Sequence, residues 1–422
     1  MATQFVNTDI SGPGNRVYLS NGDDVWVGRN GLVGTTTDFF DTVGAILGEG
    51  SNHTVHIEGA VVGYNGVELG DNVTLDSNNA VVIASTGVVY GANFGVVMFG
   101  INARLDNFGL LSGGAYFNGN GLSVSRIDNA GDIIGGVNAA IHHDGTETLS
   151  LSNTGTIRGT VAAFFSGGVA TTDLIRNRGE MIGDILLGGG DDRYDGRGGF
   201  VEGTVYGEAG FDTFRPGSGI ELFDGGTDVD TLDFRSTSGV RVYLDGSGLN
   251  TGMAAGDDYV GIERVQGSAR GADTLVGDGA DNLLYGFGGA DMLSGGTGLD
   301  RLIGGARIDR LIGGLGDDRF IFETLGDCGD VISDFAAVVG NDDRLYFEAA
   351  GFGGGLVAGA LAATQFQIRA DNLAQDGDDR FIFRTTDQTL WFDVNGNLAG
   401  GLTLVADLQA SAVVTAADIL IY

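Results

Sequence analysis

From Ser268 to Ile321 the chain is six nine-residue units laid end to end without a gap. Three of them read Gly286-Phe-Gly-Gly-Ala-Asp291-Met-Leu293-Ser, Gly295-Gly-Thr-Gly-Leu-Asp300-Arg-Leu302-Ile and Gly313-Gly-Leu-Gly-Asp-Asp318-Arg-Phe320-Ile. Glycines crowd the first four positions, a carboxylate holds the sixth and a large apolar residue the eighth. Glycine lets the backbone turn through positive φ and aim its carbonyl oxygens inward at no steric cost. The sixth-position carboxylate then closes the turn. Leu275, Leu284, Leu293, Leu302, Leu311 and Phe320, at the eighth positions, form short strands with an inward apolar row.

Turn carbonyls beside a fixed carboxylate are hard oxygen donors. Calcium takes six to eight of these at about 2.3–2.6 Å in a tolerant geometry. The pattern matches the G-G-x-G-x-D-x-U-x nonapeptide of calcium-binding parallel β-rolls, and the chain resembles the RTX (repeats-in-toxin, haemolysin-type) family. The resemblance implies that successive nonapeptides lie on opposite sides of a flattened helix. Eighteen residues then make one turn, and Ca2+ sits between the loops of repeat n and repeat n+2. Carried onto this chain, Asp273, Asp291 and Asp309 line one side and Asn282, Asp300 and Asp318 the other. Gly286, Gly288, Gly295, Gly298, Gly313 and Gly316 shape the loops, and this block has room for at most four ions. Asn282 is neutral where a carboxylate is usual. Arg307 replaces a fourth-position glycine, which predicts distortion of the site shared by Asp291 and Asp309. An upstream block carries Asp212, Glu221 and Asp230 in register, with Asp192 in an offset unit, and one or two ions are expected there.

The chain has 56 acidic against 22 basic residues, all arginine, for a formal charge of −34. That balance excludes a nucleic-acid partner driven by phosphate charge and disfavours anionic membrane surfaces. Two carboxylates at about 4 Å repel by roughly 4 kcal/mol at an effective dielectric near 20. Several such pairs predict a roll that needs its cations to fold. Seventy-eight glycines with only two prolines argue for a tightly turned β-solenoid rather than disorder. Cys328 is alone, so no intramolecular disulfide framework exists.

The first twenty residues have neither a basic nor an apolar leader region, so no cleaved signal peptide is read. No apolar run is long enough for a transmembrane helix. The RTX resemblance implies instead a secreted, extracellular protein that leaves a bacterial cell through a type I exporter reading an uncleaved C-terminal signal. The run Ala416-Ala-Asp418-Ile-Leu-Ile-Tyr422 is similar to such a signal.

A second repeat occupies residues 105–183. It reads Leu105-Asp-Asn107-Phe-Gly109, Ile127-Asp-Asn129-Ala-Gly131, Leu151-Ser-Asn153-Thr-Gly155 and Ile175-Arg-Asn177-Arg-Gly179. Its asparagines stand 22, 24 and 24 residues apart. Fainter copies start at Val55 and Ile83, with Ile57 and Ser85 in the asparagine position. Alternating apolar residues around an Asn-x-Gly bend predict one parallel β-helix coil per repeat, with the stacked asparagines forming an amide ladder. These repeats resemble those of secreted β-helix adhesins. The expected fold is an all-β, elongated solenoid. Residues 1–54 supply a cap or first coils and 55–185 a parallel β-helix. Residues 186–321 form the RTX β-roll (blocks 187–233 and 268–321 joined by strand-rich 234–267), and 322–422 a C-terminal β cap with the secretion signal.

Catalytic motifs are missing from the sequence. There is no His-Glu-x-x-His and no Gly-x-Ser-x-Gly elbow. His53, His56, His142 and His143 read as surface residues. Arg126, Asp128, Arg158 and Arg176 lie near one another in repeat register and offer the ingredients of a polysaccharide lyase or uronan epimerase. They alternate with apolar positions, as outward solvated residues do, and 55–185 is short for a carved substrate groove. The expectation is therefore a non-catalytic, calcium-loaded surface-structural or adhesin-like protein, with a cell-surface glycan or matrix as partner.

Overall fold

The computed structural model describes residues 2–12, 16–35, 44–71, 76–168, 170–338 and 340–422. Two compact units are present, Met1–Asp230 with Asp257–Gly261, and Thr231–Gly256 with Ile262–Tyr422. No helix among the described residues is long and apolar enough to cross a membrane.

The first unit is a parallel β-helix with three columns of strands. One column stacks Thr3–Val6, Asp24–Val27, Thr54–Ile57, Ala80–Ile83, Arg104–Asn107, Val124–Asn129, Thr148–Asn153 and Leu174–Asn177, each paired in parallel with the next. Leu110–Gly113, Asp132–Gly135, Thr156–Arg158 and Glu180–Ile182 stack in the second. Ala115–Asn118, Ile141–His143, Phe164–Ser166 and Ile185–Leu186 stack in the third. Side chains alternate between the faces of each strand, so Leu105, Ile127, Leu151 and Ile175 fill the interior while Arg104 and Arg126 point outward.

The asparagine ladder is present. Asn107 Nδ2 donates to Asn129 Oδ1 at 2.7 Å, Asn129 to Asn153 at 2.8 Å and Asn153 to Asn177 at 2.8 Å. Above it the ladder position passes to Ile83 and Ile57, which pair with Asn107 and with each other. The expected placement of Ser85 is therefore two residues too late. Coils already begin at Thr3, well before the Asn-x-Gly bend appears in the sequence, because inward aliphatic residues, with buried His53 and Asn79 bridging between coils, hold the earlier coils together. Of the expected 1–54 segment, residues 1, 13–15 and 36–43 lie outside the described residues.

Coils shorten as glycine turns replace strand corners. Ile175 pairs with Tyr194, Tyr194 with Phe214, and Val205 with Phe223. In the second unit the eighteen-residue coil is regular. Leu275, Leu293 and Leu311 stack in one column and end on Ile332. Val265, Leu284, Leu302 and Phe320 stack in the other and end on Leu345 and Ile419. All six eighth-position side chains are fully buried.

In the strand-rich 234–267 stretch the chain turns at Gly261, whose φ is +61°. Asp258–Val260 and Arg264–Gln266 are separate strands. The last roll coils are covered as a solenoid end requires. Within the expected C-terminal β cap, Phe381–Arg384 and Thr389–Asp393 form an antiparallel hairpin, and Leu402–Leu408 joins it to Asp330–Ile332. The tail Ile419–Ile421 is a strand alongside Leu345–Phe347, with Ile419 and Ile421 buried.

Candidate metal centre

Each sixth-position aspartate sits at the same corner of its coil, buried, with one oxygen tied to the coil before it. Asp291 Oδ1 accepts the Asp273 N–H at 2.8 Å, Asp309 Oδ1 that of Asp291 at 2.7 Å, Asp300 Oδ1 that of Asn282 at 2.8 Å, and Asp318 Oδ1 that of Asp300 at 2.9 Å. The two rows predicted from the nonapeptide register are thus two hydrogen-bonded columns. The same link joins Asp192, Asp212 and Asp230 in the first unit, at 2.7 and 2.8 Å.

The second carboxylate oxygen is a different matter. Oδ2 of Asp192, Asp212, Asp291, Asp300, Asp309 and Asp318 is buried and has no hydrogen-bond donor. Leaving a buried ionised oxygen unsatisfied is costly. The first-position glycine leaves this oxygen uncovered, since any side chain there would collide with it. A Cβ built on Gly286 would meet Asp291 Oδ2 and, at 2.6 Å, the carbonyl oxygen of Gly304. One built on Gly295 would meet Asp300 Oδ2 and, at 2.6 Å, the carbonyl oxygen of Gly313. Gly313 lies likewise against Asp318, and Gly207 against Asp212 and the carbonyl of Gly225. Oxygens of adjacent coils therefore converge with no N–H or O–H donor from a neighbouring residue between them. This donor set, carboxylate plus backbone carbonyl, suits a hard ion such as Ca2+. Among the described residues no three His, Cys, Asp or Glu side chains converge on a metal site, so a cation there must draw most of its oxygens from the backbone.

Three predicted sites differ. Asp273 is satisfied, because Ser268, standing at a glycine position, donates its N–H at 2.7 Å and its hydroxyl at 3.1 Å. Asn282 Oδ1 accepts the Asp278 N–H at 2.8 Å, and its amide reaches the Ile262 carbonyl. Glu221 is occupied by the Gly217 N–H and the Tyr194 hydroxyl. Conversely, the columns run further than the nonapeptides. Asp330 accepts the Asp309 N–H at 2.9 Å, Asp343 that of Asp318 at 3.1 Å, and Asp192 that of Asp173 at 2.6 Å. Asp173, Asp330 and Asp343 carry the same Asp-x-apolar tripeptide outside the nonapeptide register, and that tripeptide is the signal that finds them.

Glycine conformations follow the fourth position more than the first. Gly298 and Gly316 have φ of +136° and +133°, whereas Gly286, Gly288, Gly295 and Gly313 stay outside the left-handed region and serve by lacking a Cβ. Arg307 was expected to distort its loop. Instead it holds the turn at φ +94°, and Asp309 keeps its place in the column. A non-glycine residue there costs roughly 1–2 kcal/mol. Arg307→Gly should therefore raise the calcium-loaded melting temperature by a few degrees, with stoichiometry unchanged. A lower melting temperature would contradict this reading of the loop.

Burial raises the carboxyls of these columns, and backbone donors offset it only in part. Asp291 and Asp300 are pushed up to about 7, Asp309 and Asp212 to about 6, and Asp192 to about 9. Higher in the first unit a side chain supplies the positive charge. His143 Nδ1 lies 3.1 Å from Asp173 and Nε2 3.7 Å from Glu147, all three fully buried. Burial acts to lower the imidazole, but the two carboxylates outweigh it and hold it at about 9. His53 is also buried, its ring nitrogens 2.9 Å from the carbonyls of Asp23 and Glu49. The surface reading of these two histidines is corrected, since each fills a polar gap in the coil interior. His56 faces the other way and stacks on Trp26.

Asp393 belongs to no column. Its Oδ1 accepts the Asn395 N–H at a hairpin exit. Asp300→Ala should consequently lower the calcium stoichiometry of the whole chain, and Asp393→Ala should leave it intact. Equal losses on titration would refute the ranking.

Residues 269–302 and 294–323 match the family model of the RTX calcium-binding nonapeptide repeat, in four copies. This stretch of the chain is a run of RTX repeats, and such repeats bind calcium. No curated protein matches the chain.

Proposed function

We propose that the protein is a secreted, calcium-loaded and non-catalytic binding protein of the cell exterior, adhesin-like or surface-structural. The observation that carries this is the set of buried carboxylate oxygens without donors in RTX repeats. Extracellular calcium modules work at dissociation constants of about 10⁻⁴–10⁻³ M, a concentration met outside cells. A type I exporter is the route that such repeats imply, passing the chain before calcium folds it. Antibody labelling of intact, unpermeabilised cells and of their medium tests the address. Signal on the surface or in the medium is expected, and lost when the exporter is inactivated. Protein confined to the interior of intact cells would overturn the reading.

The lyase or epimerase alternative draws on one observation. Arg126, Asp128 and Arg176 line a common depression in the first unit, whereas Arg158 belongs to another strand column. Against it stands the other carboxylate there. Burial acts to raise Asp195, but the Arg197 guanidinium outweighs it and holds the carboxyl below its ordinary value, the wrong direction for a general base. Unsaturated or epimerised product from a uronan would decide for the enzyme.

A further inference from the structure

We propose that the outward face of the first strand column binds an acidic polysaccharide, with Arg126 and Arg176 holding its carboxylates and Ser150, Ser152 and Asp128 its hydroxyls. This deepens the binding-protein reading above and rests on it.

The chain carries −34, yet one depression of about 400 Å³ collects arginines. Arg126, Arg176, Arg193, Arg197 and Arg215 line it, against two carboxylates. Strand register explains the arrangement. Arg126 pairs across to Ser150 and then Leu174, while Asp128 pairs to Ser152, Arg176 and then Asp195. Arg126 and Arg176 therefore stand two strands apart, about 10 Å along the coil axis, with two short hydroxyl side chains between them. Both guanidiniums are exposed, Arg176 with 58% of its side chain accessible and its Nε 3.9 Å from Asp195, an ion pair that a ligand carboxylate would share or displace.

The mixture selects the ligand. A guanidinium fork reads a planar carboxylate by two parallel hydrogen bonds. Serine hydroxyls and Asp128, interleaved with the arginines, are partners for sugar hydroxyls and have no use for a bare anion. Nucleic acid, with a charge every ~1.7 Å of duplex axis, would meet these acidic residues and the chain's large negative charge. A uronan carries one sparse charge per sugar between hydroxyls, which matches arginines separated by serines.

Isothermal titration of the full calcium-loaded chain tests this with four probes: a polyuronate hexasaccharide, a neutral hexasaccharide, a sulfated one and a single-stranded oligonucleotide. Polyuronate should bind and the others bind at least about tenfold more weakly. Arg126→Ser with Arg176→Ser should weaken polyuronate binding by about tenfold or more, and Ser152→Trp should block it by filling the depression. Arg384→Ser, in the other unit, should change nothing. Polyuronate binding that survives both the double variant and Ser152→Trp would be calcium bridging to the acidic surface, and would overturn the site. Tighter binding of the sulfated, neutral or nucleic-acid probe would overturn the ligand class. Calcium stoichiometry on the same samples separates the readings. A chain that takes up calcium and ignores polyuronate sinks this inference alone.

Discussion

Removing calcium should unfold the repeat coils. In chelator at pH 7.5 the region 186–321 is expected to lose its β circular dichroism and to become readily cleaved by protease, and millimolar calcium should restore both. The cause is the column arrangement. Oδ2 of Asp291, Asp300, Asp309 and Asp318 is buried without a donor, and the carbonyl oxygens of Gly304 and Gly313 add further negative partial charge to the same spaces. An ion that binds only the folded chain stabilises it by about 4 kcal/mol per site at a thousandfold excess over its dissociation constant. With several sites the sum rivals the whole stability of a typical domain. Magnesium should fail to substitute, because it demands a smaller octahedral shell. A chelated chain with an unchanged spectrum and unchanged protease resistance would refute the proposal that these coils depend on their ions.

Acid should replace calcium in part. Asp291, Asp300 and Asp343 are raised to about 7, and Asp309 and Asp212 to about 6, chiefly by burial, from an ordinary 3.8. A carboxyl whose folded value is raised binds its proton more tightly in the folded state. Its contribution is fully present below the unfolded value near 4 and is lost as pH rises through 6 to 7. Several such groups act together, each on the order of a few kcal/mol. In chelator, lowering the pH from 7.5 to 5 should therefore recover β signal, with a midpoint between 5 and 7. The calcium-loaded chain should respond with the opposite sign, since protons compete with the metal for the same oxygens. Two stability curves that cross are the expected result. Metal-free protein that only loses structure on acidification would show that these oxygens are not what destabilises it.

Much of this molecule is written in local spacing. The nine-residue period fixes the eighteen-residue coil, because glycine turns at fixed offsets leave the chain few ways to return. The eighth-position leucines and Phe320 could only point inward. The run from Asn107 to Asn177 likewise declares its ladder, since a repeated bend in coils of nearly equal length stacks like on like. Spacing even placed the two rows of carboxylates on their proper sides.

Which of those side chains is closed by its own turn, and how far the columns run past the repeats, became visible only in the folded chain. Ser268 occupies Asp273, the Asp278 N–H occupies Asn282, and Gly217 with Tyr194 occupies Glu221. Asp330 and Asp343 enter the columns after gaps of 21 and 25 residues, where the period has already lapsed. The imidazole of His143 comes to rest between Glu147 and Asp173, the latter from a neighbouring coil. Arg126 and Arg176, fifty positions apart in the sequence, become walls of one depression through the pairing of three strands. A turn motif depends on the few residues that build it, so the sequence carries it openly. The partners that extend the columns to Asp330 and Asp343, and that enclose His143, depend on which coil is stacked alongside, and insertions between coils shift that stacking.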